Sequence, residues 1–352
     1  MKLLLLTQII DSEDTVLGFF HGWVKRLALK YDQVTVICLK AGPHSLPSNV
    51  KVLSLGKERG AHRLEYILRF YFFIIKERLD YDTVLVHMNQ EYVLFGGLLW
   101  RLWGKKIGLW YNHTYGTLLT RIAYKLAHRI FYTSPHSFSA RYGGEKSYQM
   151  SAGIDTDFFN DGGHTKSKPS SFLFLGRLSP VKKVDIFIAA LNVLDARGVN
   201  FMATICGDSA DGADDNYRYS IEEAGKHLVS LGKLTLISGV PHPATREIYL
   251  AHTFYINLTQ TGSLDKTVLE AMACRKVVSV MNKSFSEVLK KERIIPEPSS
   301  AEMLADILSS MLSLSPEEIS VEGEMNRSYC VEHHSLDKLV KSIYGELESS
   351  SR

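Results

Sequence analysis

Two short segments in the second half of the chain carry the residue types that a charged leaving group needs. In Phe174-Leu175-Gly176-Arg177-Leu178-Ser179-Pro180-Val181-Lys182-Lys183 an apolar run ends in Gly-Arg, and Lys182 follows Arg177 by five residues just ahead of a helical pattern. A strand-to-helix turn of this kind offers backbone N–H groups and the positive end of a helix. An Arg fork with a Lys point charge would complete a diphosphate site there. A solvated turn satisfies the same letters, so this segment alone leaves both readings open. In Thr259-Gln260-Thr261-Gly262-Ser263-Leu264-Asp265-Lys266-Thr267-Val268-Leu269-Glu270-Ala271-Met272-Ala273, a second run, turn and helix start, Glu270 lies about one turn into the helix. A carboxylate there could accept both hydroxyls of a ribose while the amides around Asp265, Lys266 and Thr267 face phosphate. The alternative makes Ser263 or Asp265 an N-cap and Glu270 a surface residue.

Both segments need a scaffold that ends strands at one edge and starts helices there. Short apolar runs at 2–6, 34–39, 83–87, 106–110 and 130–133 alternate with helical patterns at 18–30, in a long amphipathic stretch ending near Leu79, and at 96–102 and 118–127. That is the rhythm of repeated strand–helix–strand units, which predicts a mostly parallel sheet covered by helices, with ligands at the carboxyl ends of its strands. After Phe159, residues 160–171 are rich in turn formers and read as an interdomain linker. A second series follows, with strands at 171–175, 201–206, 234–237, 254–258 and 277–280 and helices at 184–196, 221–231 and 266–273. Leu336, Leu339, Val340, Ile343 and Tyr344 recur at helical intervals and predict a packed terminal helix.

A chain of 352 residues with 45% apolar and 22% charged residues is long enough for two domains and has the composition of a globular protein. The four cysteines, Cys38, Cys206, Cys274 and Cys330, are scattered, so no zinc cluster or redox dithiol can be drawn from them. The apolar start is too short for a signal peptide, and residues 66–75, interrupted by Arg69, fall far short of a membrane span. A cytoplasmic location, at most against the inner face of a membrane, is expected. The net charge of +3 hides an asymmetry, since about 20 basic and 11 acidic residues precede position 151. The first half is thus strongly positive and the second negative, a division that turns one domain toward an anionic surface.

Taken together, the two chemical segments resemble the family 4 retaining glycosyltransferases of the GT-B fold. These carry Gly-Arg-Leu-x-Pro-x-Lys-Gly in the second domain and a Glu-x7-Glu motif ending Leu-Glu-Ala-Met-Ala. Ala152-Gly153-Ile154-Asp155-Thr156-Asp157-Phe158-Phe159 is similar to the family's Asn-Gly-Val-Asp-x-x-x-Phe, and Gly207 and Gly239 fit as well. The resemblance implies an α/β fold of two Rossmann-like, doubly wound parallel-sheet domains facing across a cleft. Its domains would be 1–165, which binds acceptor, and 166–330, which binds a nucleotide-sugar, with the C-terminal helix of 331–352 returning to the first. It implies that Arg177 and Lys182 hold the donor diphosphate and Glu270 the ribose, with Asp265, Lys266 and Thr267 by the sugar and phosphates. Gly18 would open the first helix beside the reaction centre. His113 would stand beside the transferred sugar to orient it and stabilise charge, with His87 and Asn89 on the same rim. His21 is assigned no role. No cofactor or metal is expected, because Arg and Lys take a divalent ion's place at the phosphates.

Two departures stand out. The first Glu of the family motif is replaced by Gly262, which leaves the donor-sugar contact open; Asp265 is expected to take over part of that contact, while the Lys266 ammonium supplements Arg177 and Lys182 on the departing phosphate. Arg275 stands where a glycine is usual. The expected reaction is retaining transfer of a sugar from a nucleotide-diphosphate sugar to a hydroxyl acceptor, a lipid-linked or cell-surface glycan of the lipopolysaccharide or polysaccharide kind. The acceptor class rests on Lys57, Arg59, Arg63, Arg69, Lys76 and Arg78 interleaved with Tyr66, Phe70, Tyr71, Phe72 and Phe73, and on Trp100 and Trp103 nearby, a pattern that suits a membrane interface as well as a core helix with a cationic edge. The alternatives are a catalytically silent binding subunit of the same fold, which the altered Glu motif permits, and a nucleotide-sugar epimerase. Nucleic-acid binding is excluded for want of any recognition motif.

Overall fold

The computed structural model of the protein describes residues 1–162, 167–209 and 215–349. The chain divides into two compact units: Met1–Gly153 with Pro241–Pro243 and the stretch from Ser335 onward, and Ile154–Val240 with Ala244–His334.

The first unit holds strands β1 (Lys2–Ile10), β2 (Gln33–Ala41), β3 (Val50–Ser54), β4 (Thr83–His87), β5 (Lys106–Trp110), β6 (Arg129–Tyr132) and β7 (Ser147–Gln149), in the order β3-β2-β1-β4-β5-β6-β7. All of these pairings are parallel. The Leu run of β1 shows why: Leu3 and Leu5 enter one core and Leu4 and Leu6 the other, so both faces of the sheet are buried. Helix α1 (Phe19–Ala28) covers the first face through Phe20, Trp23, Val24 and Leu27. Helices α2 (Arg63–Lys76), α3 (Gln90–Leu102) and α4 (Leu118–Leu126) cover the other, and α5 (Phe138–Tyr142) packs its Phe138 into the same core. Strands β3 and β7 are edge strands with few fully buried residues, which is why no apolar run announces them.

The second unit runs β8 (Lys168–Leu175), α6 (Val184–Ala196), β9 (Met202–Cys206), α7 (Asp215–Ser230), β10 (Leu234–Ile237), α8 (Thr245–Ala251), β11 (His252–Asn257), α9 (Lys266–Ala273), β12 (Val277–Val280), α10 (Ala301–Leu312) and α11 (Pro316–His334). Its sheet, also parallel, has the order β10-β9-β8-β11-β12. Phe172, Phe174, Ile205, Phe254 and Ile256 pack there with Phe187 and Leu191 of α6 and Leu304 and Leu308 of α10. The buried face of α11 consists of Glu322, Gly323, Asn326, Cys330 and His334, so no apolar periodicity marks this helix in the sequence. Gly323 is required by close approach: a Cβ there would lie 2.5 Å from the Arg275 carbonyl oxygen.

Domain boundaries differ from the expected 165 and 330. The first falls after Gly153, because residues 154–161 pack into the second unit: Arg327 donates to the carbonyl oxygens of Phe159 (3.0 Å) and Thr156 (3.3 Å), and Arg275 pairs with the buried Asp161. The linker read at 160–171 is therefore anchored at its start and is already strand β8 from Lys168; residues 163–166 of it lie outside the described residues. The second boundary falls after His334, where α11 ends. Helix α12 (Leu336–Glu348) returns to the first unit, burying Leu336, Leu339, Val340, Ile343 and Leu347 against α1 and the sheet. Gly153 permits this packing, since a Cβ would lie 2.4 Å from Leu339 and 2.7 Å from the Trp23 ring.

The aromatic stretch of α2 faces inward more than its letters suggest. Phe70 and Ile74 are buried, and so is Trp100 of α3, which donates Nε1–H to the Tyr81 hydroxyl at 3.2 Å. The outward stripe is instead Leu64, Leu68, Phe72 and Ile75, continued by Leu79 just past the helix end. Among the described residues no helix is long and apolar enough to cross a membrane.

Candidate active site

In the second sheet β8 lies between β9 and β11, so the chain reverses its direction of winding between β8 and β11, and the loops leaving these two strands sit side by side. The β8 loop turns at Gly176, and the β9 loop at Gly207 presses onto it. A Cβ on Gly207 would lie 1.9 Å from the Gly176 carbonyl oxygen, so only glycine fits. The turn continues as a short 3-10 segment, Pro180–Lys182, and Lys183 takes the left-handed conformation that starts α6.

Lys182 from the β8 loop meets the β11 loop. Its ammonium donates to Asp265 and, at 3.0 Å, to Thr259 Oγ1. Asp265 Oδ2 also accepts from Asn257 Nδ2 (3.1 Å) and the Thr259 hydroxyl (3.2 Å), while Oδ1 accepts from the Thr267 hydroxyl (3.0 Å). The Tyr255 hydroxyl completes the group, 2.7 Å from Thr267 Oγ1 and 3.0 Å from the Leu175 carbonyl oxygen. The Asp265 side chain is only 14% exposed. Burial alone would raise its carboxyl, but the Lys182 charge and the donated hydrogen bonds outweigh that and hold it down to about 2. Asp265 is thus ionised at any ordinary pH.

Asp265 occupies the N-cap position of α9, yet its side chain makes no capping bond because the carboxylate is spent on Lys182 and its neighbours. The helix start therefore keeps its positive end without a side-chain cap. Glu270, only 4% exposed, is no surface residue: it sits on the inner side of α9 and accepts from the Tyr249 hydroxyl at 3.0 Å. Burial and the Glu270 charge push the Tyr249 phenol well above its ordinary value, so it stays protonated and donates. Lys266 lies beside Glu270 and Cys330, and burial lowers its ammonium to about 7 against the pull of Glu270. Arg177 is exposed and forms no ion pair among the described residues, so the structure joins Lys182, Asp265 and Thr267 in one network and leaves Arg177 outside it.

In the first unit, His113 follows β5 in a loop held at several points. Phe138 N–H donates to the His113 carbonyl oxygen (2.8 Å), Thr133 N–H to Asn112 Oδ1 (2.7 Å), and the Ser139 hydroxyl to the Tyr111 carbonyl oxygen (2.7 Å). The residue is exposed, but its ring lies between Tyr111 and Tyr115, and this partial desolvation lowers the imidazole below its ordinary value despite Glu91. Gly18 starts α1 where a Cβ would lie 2.4 Å from the Asp14 carbonyl oxygen. Two other histidines are packing residues. His87 is buried and stacked on Phe20 at 4.2 Å, and His21 is buried and accepts from Ser45 N–H at 3.2 Å. Asn89 caps α3 by backbone position only. Among the described residues no three His, Cys, Asp or Glu side chains gather as metal ligands would, and all four cysteines are free and buried.

The family profile described as glycosyl transferases group 1 matches residues 156–324, which span both chemical loops, and that of glycosyl transferase 4-like matches residues 10–109. The chain belongs to the group 1 glycosyltransferases. No curated protein matches it. Among solved structures it is similar to HepE of Anabaena in complex with UDP and glucose, with 16% identity, a TM-score of 0.76, and coverage of 99% of this chain and 100% of that one. A glycosyltransferase from Rickettsia africae shares 14% identity at a TM-score of 0.77 over 99% and 100% of the two chains. Sucrose-phosphate synthase from Thermosynechococcus elongatus shares 14% at a TM-score of 0.77 over 97% of each. At these identities the likeness speaks for the fold, which is GT-B.

Within this glycosyltransferase the departure at Arg275 has a local explanation. Arg275 stands just past the C-cap of α9 in the left-handed conformation (φ 56°) that glycine usually takes there. Its guanidinium pairs with Asp161 and, at 2.5 Å, with Glu324, interactions a glycine could not make. Sequence reading passed over Tyr249, Tyr255, Asn257 and Thr259. Tyr255 and Asn257 are polar letters inside the buried strand β11, Tyr249 lies on α8 and Thr259 in the loop after β11, and none of these letters says which partner satisfies it.

Proposed function

We propose that this glycosyltransferase moves a sugar, with retention of configuration, from a nucleotide-diphosphate sugar bound by the second unit to a hydroxyl of a lipid-linked or cell-surface glycan bound by the first. The observation that carries the donor half is the Lys182–Asp265 network beside the start of α9, where no side-chain cap competes with a phosphate. A diphosphate arriving there competes with Asp265 for Lys182, while Asp265 keeps its bonds to Asn257, Thr259 and Thr267 and stays ionised. Arg177, held by no carboxylate among the described residues, supplies the second cation. Fixed positive charge of this kind stabilises the departing diphosphate as the sugar takes on oxocarbenium character, and no metal is required. Glu270, aligned by Tyr249, accepts the ribose hydroxyls. The departing phosphate takes the proton of the attacking hydroxyl, and His113 orients the sugar. HepE, a similar structure, is described in complex with UDP and glucose, which supports a uridine donor as the first to try.

The acceptor half rests on the outer surface of the α2–α4 layer. Leu68 is 61% and Phe72 58% exposed, with Leu98 and Leu102 of α3 and Leu118, Leu119 and Ile122 of α4 exposed too. The three helices carry six basic and two acidic residues. Apolar faces of this extent on a globular protein mark a contact surface, and cations among them suit the headgroups of an anionic membrane.

The test is a thermal-shift and turnover screen against UDP-, GDP-, ADP- and CMP-sugars with and without EDTA, alongside Arg177→Ala and Glu270→Gln. One nucleotide-sugar should stabilise the wild type alone, EDTA should change nothing, and the anomeric configuration of the product should match the donor's. Stabilisation without turnover on any acceptor would favour the silent binding subunit that Gly262 permits; an inverted product sinks the retaining assignment.

A further inference from the structure

Beside the His113 loop the first unit gathers charge that the transfer reaction does not use. Tyr142, the last residue of α5, is 52% exposed, and two guanidinium groups lie against its ring: Arg121 of α4 at 5.0 Å and Arg141 at 5.8 Å from the centroid. Arg121 also lies over Phe138 at 6.0 Å. Arg141 donates to the carbonyl oxygen of Thr114, the residue next to His113, which ties the cluster to that loop. Both arginines are exposed, and neither is paired with a carboxylate among the described residues. That is unlike Arg129, Arg197, Arg218, Arg275 and Arg293, each of which has an acidic partner.

Two like charges on one aromatic ring repel each other. The electron-rich face offsets part of that cost but neutralises neither charge, and of the two only Arg141 spends a donor on a backbone carbonyl, that of Thr114, among the described residues. What such a pair lacks is an oxyanion with several acceptor oxygens, and forked guanidinium groups match a phosphate in geometry as well as charge. The neighbourhood names the rest of the ligand. Arg121 lies on α4 with Leu118, Leu119 and Ile122, all exposed, and α4 packs against α3, whose Leu98 and Leu102 are exposed too. A free phosphate has no use for that apolar surface; a phosphate carried on a hydrocarbon chain does.

We propose that Arg121 and Arg141, gathered on Tyr142, form a subsite for the phosphate or diphosphate of a lipid-phosphate acceptor whose chain lies along Leu118, Leu119 and Ile122. The subsite deepens the acceptor reading above and rests on it. It places the acceptor's charged junction next to His113, so that the sugar beyond the phosphate is presented at the carboxyl end of β5.

The experiment titrates the full chain, without donor, with n-decyl diphosphate, n-decyl phosphate, n-decanol and inorganic phosphate by calorimetry, in the wild type and in Arg121→Gln, Arg141→Gln, the double variant and Arg121→Lys. The decyl phosphates should bind most tightly to the wild type. Each single Gln variant should lose about tenfold, the double variant should fall to the level of decanol, and Arg121→Lys should keep part of the affinity. The melting temperature and the nucleotide-sugar thermal shift should stay unchanged in every variant, since both arginines are exposed residues of the first unit and the proposed donor network is built from residues of the second. Equal affinity of wild type and double variant for decyl diphosphate overturns the subsite. Inorganic phosphate binding as tightly as decyl phosphate, with the same dependence on both arginines, overturns the lipid assignment. A wild type that answers to no nucleotide-sugar but binds decyl diphosphate through both arginines refutes the donor reading and leaves the subsite standing.

Discussion

The two units treat charge in opposite ways. At the switch point of the second sheet, Lys182 is pinned by Asp265 and Thr259, Asp265 is satisfied by three further donors, and Glu270 is buried against Tyr249. On the α2–α4 side of the first unit, Arg121 and Arg141 are exposed without acidic partners among the described residues, and the apolar side chains between the cations face outward. A preorganised, internally neutralised network suits a small ligand of fixed geometry, for which orientation matters. A loose, amphipathic, positive surface suits an extended partner whose detailed position matters less. Under the donor and acceptor assignments proposed above, overall charge is a poor guide to a diphosphate site: the proposed donor network lies in the negative half of the chain, and the proposed acceptor surface in the positive half.

Removing Lys182 should break the comparison most severely. Lys182→Ala takes away a fixed cation at the leaving group and leaves Asp265 ionised beside it, so transfer should fall by about two to three orders of magnitude. Binding to anionic vesicles should be untouched. Steady-state kinetics on the identified donor, with vesicle sedimentation alongside, measures both, and a loss below threefold would place the diphosphate elsewhere. The reciprocal experiment is the double variant Leu68→Glu and Phe72→Glu. It adds charge only at exposed positions, so folding and donor binding should hold while binding to phosphatidylglycerol-containing vesicles drops by tenfold or more. Unchanged vesicle binding would remove the membrane reading of that face.

A smaller effect sharpens the contrast in the pH dependence of stability. Asp265 is held at about 2, below its ordinary 3.8. A carboxylate lowered in the folded state contributes stability that is present above the unfolded value and lost as pH falls from about 4 toward 2, on the order of 2 kcal/mol. Asp265→Asn should therefore lower stability at neutral pH by about that amount and flatten the acid limb of the melting curve between pH 4 and 2. An acid limb identical to the wild type's would show that the network carries no such linkage.

Much of this was legible in advance. The strands 83–87, 106–110, 234–237 and 277–280 and the helices 184–196 and 266–273 coincide with β4, β5, β10, β12, α6 and α9, because each carries its own apolar period or run and clear turn residues at its ends. Helix α11 escaped because it buries polar side chains, and the linker was drawn too late because Asp161 finds its partner 114 residues away in Arg275. The aromatic run of α2 misled for a related reason: with aliphatic and aromatic residues on several sides, the letters do not say which stripe turns to the sheet, and the sheet took Phe70 and Ile74.

What the sequence determined by itself was therefore local: alternation of strand and helix, glycines at the strand ends, two cations after one strand and a carboxylate one turn into the helix after another. Such features depend on neighbours a few residues apart, and short-range sterics and periodicity dictate them. Only the tertiary structure decided that Lys182 would meet Asp265 rather than Arg177, that Glu270 would lie buried under Tyr249, and that Arg121 and Arg141 would share one tyrosine. The physical reason is that these pairings are set by strand order. Placing β8 beside β11 brings together loops 77 residues apart along the chain at Lys182 and Thr259, and no local pattern of letters encodes which strands become neighbours.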